Sequence, residues 1–196
     1  MKRGDLLKWL KKSKRRTAII KVMTKPKIPS EIHEQALKGI ISLSNTGEVL
    51  RALVEEGVAV CLNPEEKIGK LYALTKKGKV IRKKVYPDGP SYQDIPREIL
   101  KEYAYVMRGK HRRAVIKVMD NRKTPSQIHR DVIGSSENIH PGSMNYVKLS
   151  LNSTSDTLRG FRRKGIAICL NKEKRVGRLY ELTKKGRVIR EQILKE

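Results

Sequence analysis

Aromatic side chains are scarce in this 196-residue chain, at 5% of the total with a single Trp and a single Phe. Its cores must therefore rest on Ile, Val and Leu. Cysteine is nearly absent: Cys61 and Cys169 are the only two. They fall at matching places in two halves of the chain, so neither half can close an internal disulfide, which points to a reducing, cytoplasmic setting. No apolar run approaches the roughly 18 residues of a membrane span, and no charged-then-apolar leader opens the chain. A glycine-rich phosphate loop, clustered carboxylates and a nucleophile paired with a base are all missing, so we expect no enzyme and no cofactor. His33 and His129 each lie beside an apolar helix face and read as packing groups. One Cys and one or two His per half fall short of tetrahedral zinc, so no metal is expected.

Acidic residues are also few, 20 against 45 Lys and Arg, for a net charge of +25. Split at Pro90, the chain carries 21 basic less 9 acidic residues before it (+12) and 24 less 11 after it (+13). The excess is thus spread over both halves rather than gathered in a tail. Single-sign charge at this density repels itself, and a polyanionic partner, nucleic acid first, accounts for it best.

What the chain does have is a duplication. Residues 14–23 (KRRTAIIKVM) recur at 110–119 (KHRRAVIKVM), an offset of 110 − 14 = 96. Residues 57–82 (GVAVCLNPEEKIGKLYALTKKGKVIR) recur at 165–190 (GIAICLNKEKRVGRLYELTKKGRVIR), an offset of 165 − 57 = 108. A unit of this length is a domain rather than a solenoid repeat. The expected division is a first domain at 1–85, a linker at 86–94 made short and stiff by Pro87 and Pro90, and a second domain at 95–196. The rise in offset, 108 − 96 = 12, implies a 12-residue insertion near 134–145 (GSSENIHPGSMN).

Each copy carries the same succession of patterns. Leu6, Leu7, Leu10 and then Ile19, Ile20, Met23 have helical spacing, interrupted near Ser13. A second helix begins near Pro29, with Ile32, Ala36 and Leu37 on one side. Its counterpart opens on Thr124, Pro125 and Gln127, the signature of a capping box with proline at the first helical position. A third helix spans 44–56, burying Leu50 and Leu53 and ending at Gly57. Its twin spans 152–164, burying Leu158 and Phe161 and ending at Gly165. Alternation then replaces helical spacing. Val58, Val60 and Leu62 point one way and Ala59 and Cys61 the other; a turn follows at 63–67, then a return strand at 70–74 with Leu71 and Tyr72 on opposite faces. A last helix begins after Thr75. Three helices, a hairpin and a closing helix make a winged helix-turn-helix. The expected class is therefore mainly α with small β-wings (α+β), as two tandem winged helix-turn-helix domains.

The run 69–78 (GKLYALTKKG) and its twin 177–186 resemble the wing-to-last-helix signature of archaeal winged-helix transcription regulators of the MarR-like and ArsR-like groups. The segment 30–63, with Ser44-Asn45-Thr46 opening its third helix, resembles their two-helix reader. The resemblance implies that the third helix enters the major groove and that the wing reaches backbone or minor groove. It implies contacts from Ser44, Asn45, Thr46, Glu48 and Arg51 in the first copy, and from Asn152, Ser153, Thr154, Asp156 and Arg159 in the second. Asn45 and Asn152 are alternatively mere helix caps. Wing contacts would come from Lys67 and Lys70, and from Lys172, Lys174, Arg175 and Arg178.

The two readers differ in charge. Residues 44–56 hold Arg51 against Glu48, Glu55 and Glu56 (1 − 3 = −2), whereas 152–164 hold Arg159, Arg162, Arg163 and Lys164 against Asp156 (4 − 1 = +3). The second copy is expected to dominate any groove contact. Lys76-Lys77 and Lys184-Lys185 place two cations in the first turn of a helix, where the dipole disfavours them, and suggest a phosphate there. Lys11, Lys12, Lys14, Arg15 and Arg16, with Lys110, Arg112 and Arg113, form a further basic cluster.

A cytoplasmic, double-stranded-DNA-binding transcription regulator is the leading expectation, acting as a monomer with an internal pseudo-dimer or as a homodimer, with half-sites roughly 34 Å apart. An RNA- or ribosome-binding factor is the second. A protein-interaction scaffold using the apolar and acidic face of the first copy is the third; Trp9, Tyr103 and Tyr105 could serve it, although packing between the domains fits them better.

Overall fold

The computed structural model describes residues 3–37, 39–135 and 148–195. It is mostly helical with two small antiparallel two-stranded sheets, an α+β architecture. The chain divides into two compact units, Met1–Leu100 and Lys101–Glu196. The expected insertion at 134–145 falls almost wholly outside the described residues.

In the first unit α1 (Arg3–Lys11) and α2 (Lys14–Val22) meet at Ser13, whose hydroxyl caps α2 by accepting from Arg16 N–H at 3.3 Å. A short α3 (Pro29–Ile32) runs into a π turn, His33–Leu37, where a single regular helix was expected. Next come α4 (Leu43–Glu55), β1 (Ala59–Cys61), β2 (Tyr72–Leu74) and α5 (Lys76–Val85). Leu6, Leu10, Ile19, Ile20, Ile32, Leu50, Leu53 and Val58 close the core, all fully buried. Each contributes about 1.5–3 kcal/mol, so this aliphatic cluster makes up for the missing aromatics.

A 3-10 turn at Arg97–Ile99 ends the first unit and leads into α6 (Leu100–Met107); the second unit repeats the order with α7 (Lys110–Val118), α8 (Pro125–Gly134), α9 (Leu151–Arg163), β3 (Ala167–Cys169), β4 (Tyr180–Leu182) and α10 (Lys184–Leu194). The capping box forms as its residues suggest: Thr124 N–H donates to Gln127 Oε1 at 2.8 Å, and Gln127 N–H to Thr124 Oγ1 at 3.3 Å. Val115, Ile116, Ile128, Leu158, Phe161 and Ile166 fill this core at the positions of Ile19, Ile20, Ile32, Leu50, Leu53 and Val58.

The hairpins differ from expectation in two respects. Each return strand is only three residues long, and its first residue also pairs with a lysine ahead of the second helix, Lys27 with Tyr72 and Lys123 with Tyr180. The buried face is the Ala59–Cys61 side, while Val60 and Ile168 point outward; Val58 and Ile166 are buried before the strand begins. Leu71 and Tyr72 are both buried. The cause is local. Gly57 and Gly165 end α4 and α9 at φ 67° and 66°, turning the next residue into the core rather than into the pleat.

Two further glycines are fixed by close approach. A Cβ on Gly78 would run into the Val58 carbonyl oxygen, and one on Gly186 into that of Ile166. The adjoining Thr75 and Thr183 cap α5 and α10, accepting from the N–H of Gly78 and Gly186 at 3.0 and 3.1 Å. Their hydroxyls reach back to Gly57 and Gly165 carbonyls at 2.7 and 2.8 Å. The copied TKKG run is thus the seam that fastens the last helix to the hairpin.

Residues 86–94, expected as a linker, lie bonded to the first unit. Arg82 Nη1 donates to Pro90 O at 2.6 Å, Gln93 N–H to Thr24 O at 2.7 Å, and Leu74 N–H to the Tyr92 hydroxyl at 3.1 Å. Lys79 pairs with Asp94 at 2.7 Å. Burial pushes the Tyr92 hydroxyl up to about 12.

Candidate nucleic-acid interface

The third helix of each unit starts one residue before its expected position, and serine caps it. Ser42 Oγ accepts from Asn45 N–H at 3.4 Å and Ser150 Oγ from Ser153 N–H at 3.1 Å. Asn45 and Asn152 are therefore not the caps; both lie exposed in the first turn. Ser44 is exposed beside the Ser42 hydroxyl at 2.8 Å, and Ser153 is half-buried, accepting from the Ser150 hydroxyl at 3.0 Å. Thr46 and Thr154 require correction as contact residues. Both are fully buried, and their hydroxyls donate to the main-chain oxygens of Ser42 and Ser150 at 3.2 and 3.0 Å. They tie the helix start to its cap and present nothing to a partner.

Histidine braces the same region. His33 Nε2 donates to Ile41 O at 2.8 Å and His129 Nε2 to Leu149 O at 2.9 Å. The bond is identical in both units although the chain between its ends is 12 residues longer in the second (149 − 129 = 20 against 41 − 33 = 8). Each histidine thus pins the second helix to the residue just before the cap of the third.

On α9 the exposed residues Asn152, Arg159, Arg162 and Arg163, with half-buried Ser155, occupy the sector opposite Thr154, Leu158 and Phe161. Arg159 also pairs with Asp156 at 2.6 Å; both side chains are exposed. The matching sector of α4 keeps Arg51 at the place of Arg159 but has Val54 and Glu55 where α9 has Arg162 and Arg163. Glu48 stands where Asp156 does.

A cavity of about 480 Å³ joins this face to the hairpin loop of the second unit. Leu151, Ser155 and Arg159 come from α9, Thr124 and Ser126 from the start of α8, and Arg175, Val176 and Arg178 from the loop between β3 and β4. Among the described residues no carboxylate lines it. Of the expected wing residues, Arg175 and Arg178 are brought to this groove, while Lys172 and Lys174 are exposed further up the loop. In the first unit Lys67 is exposed and Lys70 half-buried on the equivalent loop. Leu151, Ser155 and Val176 were not foreseen as site residues. Val176 carried a signal, an apolar residue between cations repeated as Ile68 in the first copy.

A second cavity, about 870 Å³, is lined by Asp120, Asp131 and Glu181 as well as Arg122, Lys123 and Arg130. Most of its charges are already paired: Lys123 Nζ lies 2.6 Å from Asp120 and 2.7 Å from Asp131, and Arg122 lies 3.2 Å from Glu181. Lys123 holds the Asp120 carboxyl below the usual range. Burial alone would lower the Lys123 ammonium, but the two carboxylates outweigh it and raise it.

The helix-start lysines divide. Lys76 and Lys184 are exposed, but Lys77 Nζ donates to the Glu56 main-chain oxygen at 2.9 Å and Lys185 pairs with Glu102 at 3.0 Å. The repeated lysine pair is thus half structural, which corrects its reading as a two-lysine phosphate clamp. Other cations are similarly engaged. Arg82 Nη2 and Arg190 Nε donate to the main-chain oxygens of Lys21 and Lys117 at 3.2 and 3.0 Å, closing the ends of α2 and α7. Arg16 stacks on Trp9 at 3.8 Å and Arg112 on Tyr105 at 4.0 Å, the same pair in both units. Arg113 Nη1 donates to Met107 O. Trp9 thus packs within its own unit, and Tyr103 is buried. Lys11, Lys12, Lys14 and Arg15 remain exposed around Ser13.

Among the described residues no group of His, Cys, Asp or Glu could hold a metal ion, and no helix is long and apolar enough to cross a membrane. No protein-family model matches the chain, and neither a curated protein nor a solved structure does.

Proposed function

We propose that the chain binds double-stranded DNA as a regulator of transcription, through two tandem winged helix-turn-helix units of which the second grips more strongly. The observation that carries this reading is the groove of the second unit, where Arg159 on α9 and Arg175 and Arg178 on the hairpin loop line one cavity. In this reading α9 lies in the major groove, with Asn152 and Arg159 facing base edges and Arg162 and Arg163 facing phosphates. The hairpin loops follow the adjacent backbone. A net charge of +25 supplies the long-range attraction, and α4 lends Ser44, Asn45 and Arg51 with a weaker grip.

RNA or ribosome binding is the second reading. The outward carboxylates Glu48 and Glu55 of α4 favour it, since RNA is held through shape and phosphates without a groove-reading helix. Cross-linking the protein in its own cells and sequencing what it carries separates the two. Promoter-proximal duplex DNA is the expected recovery; enrichment of ribosomal RNA would overturn the DNA reading.

A further inference from the structure

Each hairpin loop carries an apolar residue that the core does not use. Ile68 is 79% exposed and Val176 is 86% exposed. They occupy one position in the duplication (176 − 68 = 108), in the sequence Lys67-Ile68-Gly69-Lys70 and Arg175-Val176-Gly177-Arg178. Between the copies each cation changes identity and stays a cation, and the apolar residue changes identity and stays β-branched and apolar. A single exposed aliphatic residue is ordinary on a protein surface. The same one, twice, between cations on an exposed hairpin loop is a pattern.

The loops are also held in place. Asn63 Oδ1 accepts from Leu71 N–H at 2.6 Å while its Nδ2 donates to Gly69 O at 3.2 Å. Asn171 makes the same two bonds to Leu179 and Gly177, at 2.7 and 3.2 Å. Gly69 and Gly177 take φ 70° and 68°, which lets each loop turn just after Ile68 or Val176. These bonds brace the loop on the carboxyl side of Ile68 and Val176 before any partner arrives, which lowers the ordering entropy lost on binding. Val176 also lines the arginine groove.

We propose that Ile68 and Val176 are wedges that enter between stacked base pairs from the minor groove of duplex DNA, so that binding unstacks a step and bends the helix. This rests on the DNA-binding reading. Apolar side chains perform this role in minor-groove architectural proteins, with cations on either side holding the phosphates. The flanking Lys67, Lys70, Arg175 and Arg178 make a polyanion, rather than an apolar pocket on a protein, the fitting occupant. The wedge reads deformability and not base edges, so the preferred sites would hold flexible pyrimidine–purine steps.

The test uses the full chain and a 30-base-pair duplex (about three helical turns) carrying end-to-end energy-transfer dyes and an internal 2-aminopurine beside a TA step. The wild type should shorten the end-to-end distance and brighten the 2-aminopurine. Measured at protein concentrations that saturate the duplex for each form, the Ile68→Ser/Val176→Ser double variant should keep the wild-type salt slope, because the phosphate contacts remain, yet lose both signals. The swap Ile68→Val/Val176→Ile should keep both. Bending and brightening unchanged in the double-serine variant would overturn the wedge while leaving DNA binding intact. Loss of binding to anionic vesicles, with the DNA signals unchanged, would likewise overturn it in favour of a membrane surface. Absence of duplex binding by the wild type would overturn the DNA-binding reading and the wedge with it.

Discussion

The Lys77 ammonium stands 2.9 Å from the main-chain oxygen of Glu56, so the first turn of α5 supplies a cation to the carboxyl end of α4. A lysine at a helix start opposes that helix's own dipole, but here it satisfies the end of another. Replacing it should cost stability rather than binding. Lys77→Ala should lower stability by about 1 kcal/mol, read by urea unfolding, and reduce duplex affinity less than Arg159→Ala does. A larger affinity loss for Lys77→Ala would restore the phosphate-clamp reading.

Gly78 and Gly186 should tolerate no side chain, since a Cβ would meet the carbonyl oxygen of Val58 or Ile166. Gly78→Ala and Gly186→Ala should each cost about 1–3 kcal/mol through overpacking. Gly47 is the contrast: it lies within α4 with open space where a Cβ would go. Gly47→Ala should stabilise by roughly 0.5–1 kcal/mol. Thermal melts of the three variants check the ordering.

The duplication, the helix order and the capping box were legible because each rests on local chemistry: offsets, helical spacing, and Thr-Pro-x-Gln. Much less of the site was legible. Thr46 and Thr154 look like surface polar residues in a reader helix, but their hydroxyls turn inward to the cap carbonyl, a tertiary fact that the pattern Ser-x-x-x-Thr hardly signals. The faithfully copied cations misled in the same way. Lys77 closes the end of α4 and its copy Lys185 pairs with Glu102, so their repetition speaks for the scaffold. The strand faces were ambiguous because a three-residue strand is too short for alternation to show, and the positive-φ glycine before it turns Val58 inward.

Acid should loosen the second unit through His111. Its Nε2 is buried without a partner among the described residues, and burial, with Lys110 beside it, lowers its pKa, despite a bond to the Lys148 main chain. The unfolded chain takes up the proton near its ordinary value of about 6.5, before the folded one does. The stabilisation is therefore complete above that pH and is lost as pH falls toward the lower folded value. Tm should drop between pH 7.5 and 5.5, and His111→Gln should flatten that part of the profile. An unchanged slope in the variant would remove His111 as the cause.

The central claim is that the arginine face of α9, more than α4, grips the nucleic acid. Its most direct measurement is duplex-DNA affinity at fixed salt for the folded triple variant Arg159→Glu/Arg162→Glu/Arg163→Glu beside Arg51→Glu. The triple reversal should weaken binding on the order of 100-fold or more, and Arg51→Glu by no more than about tenfold. A triple variant that melts like the wild type and still binds DNA with wild-type affinity would contradict the account.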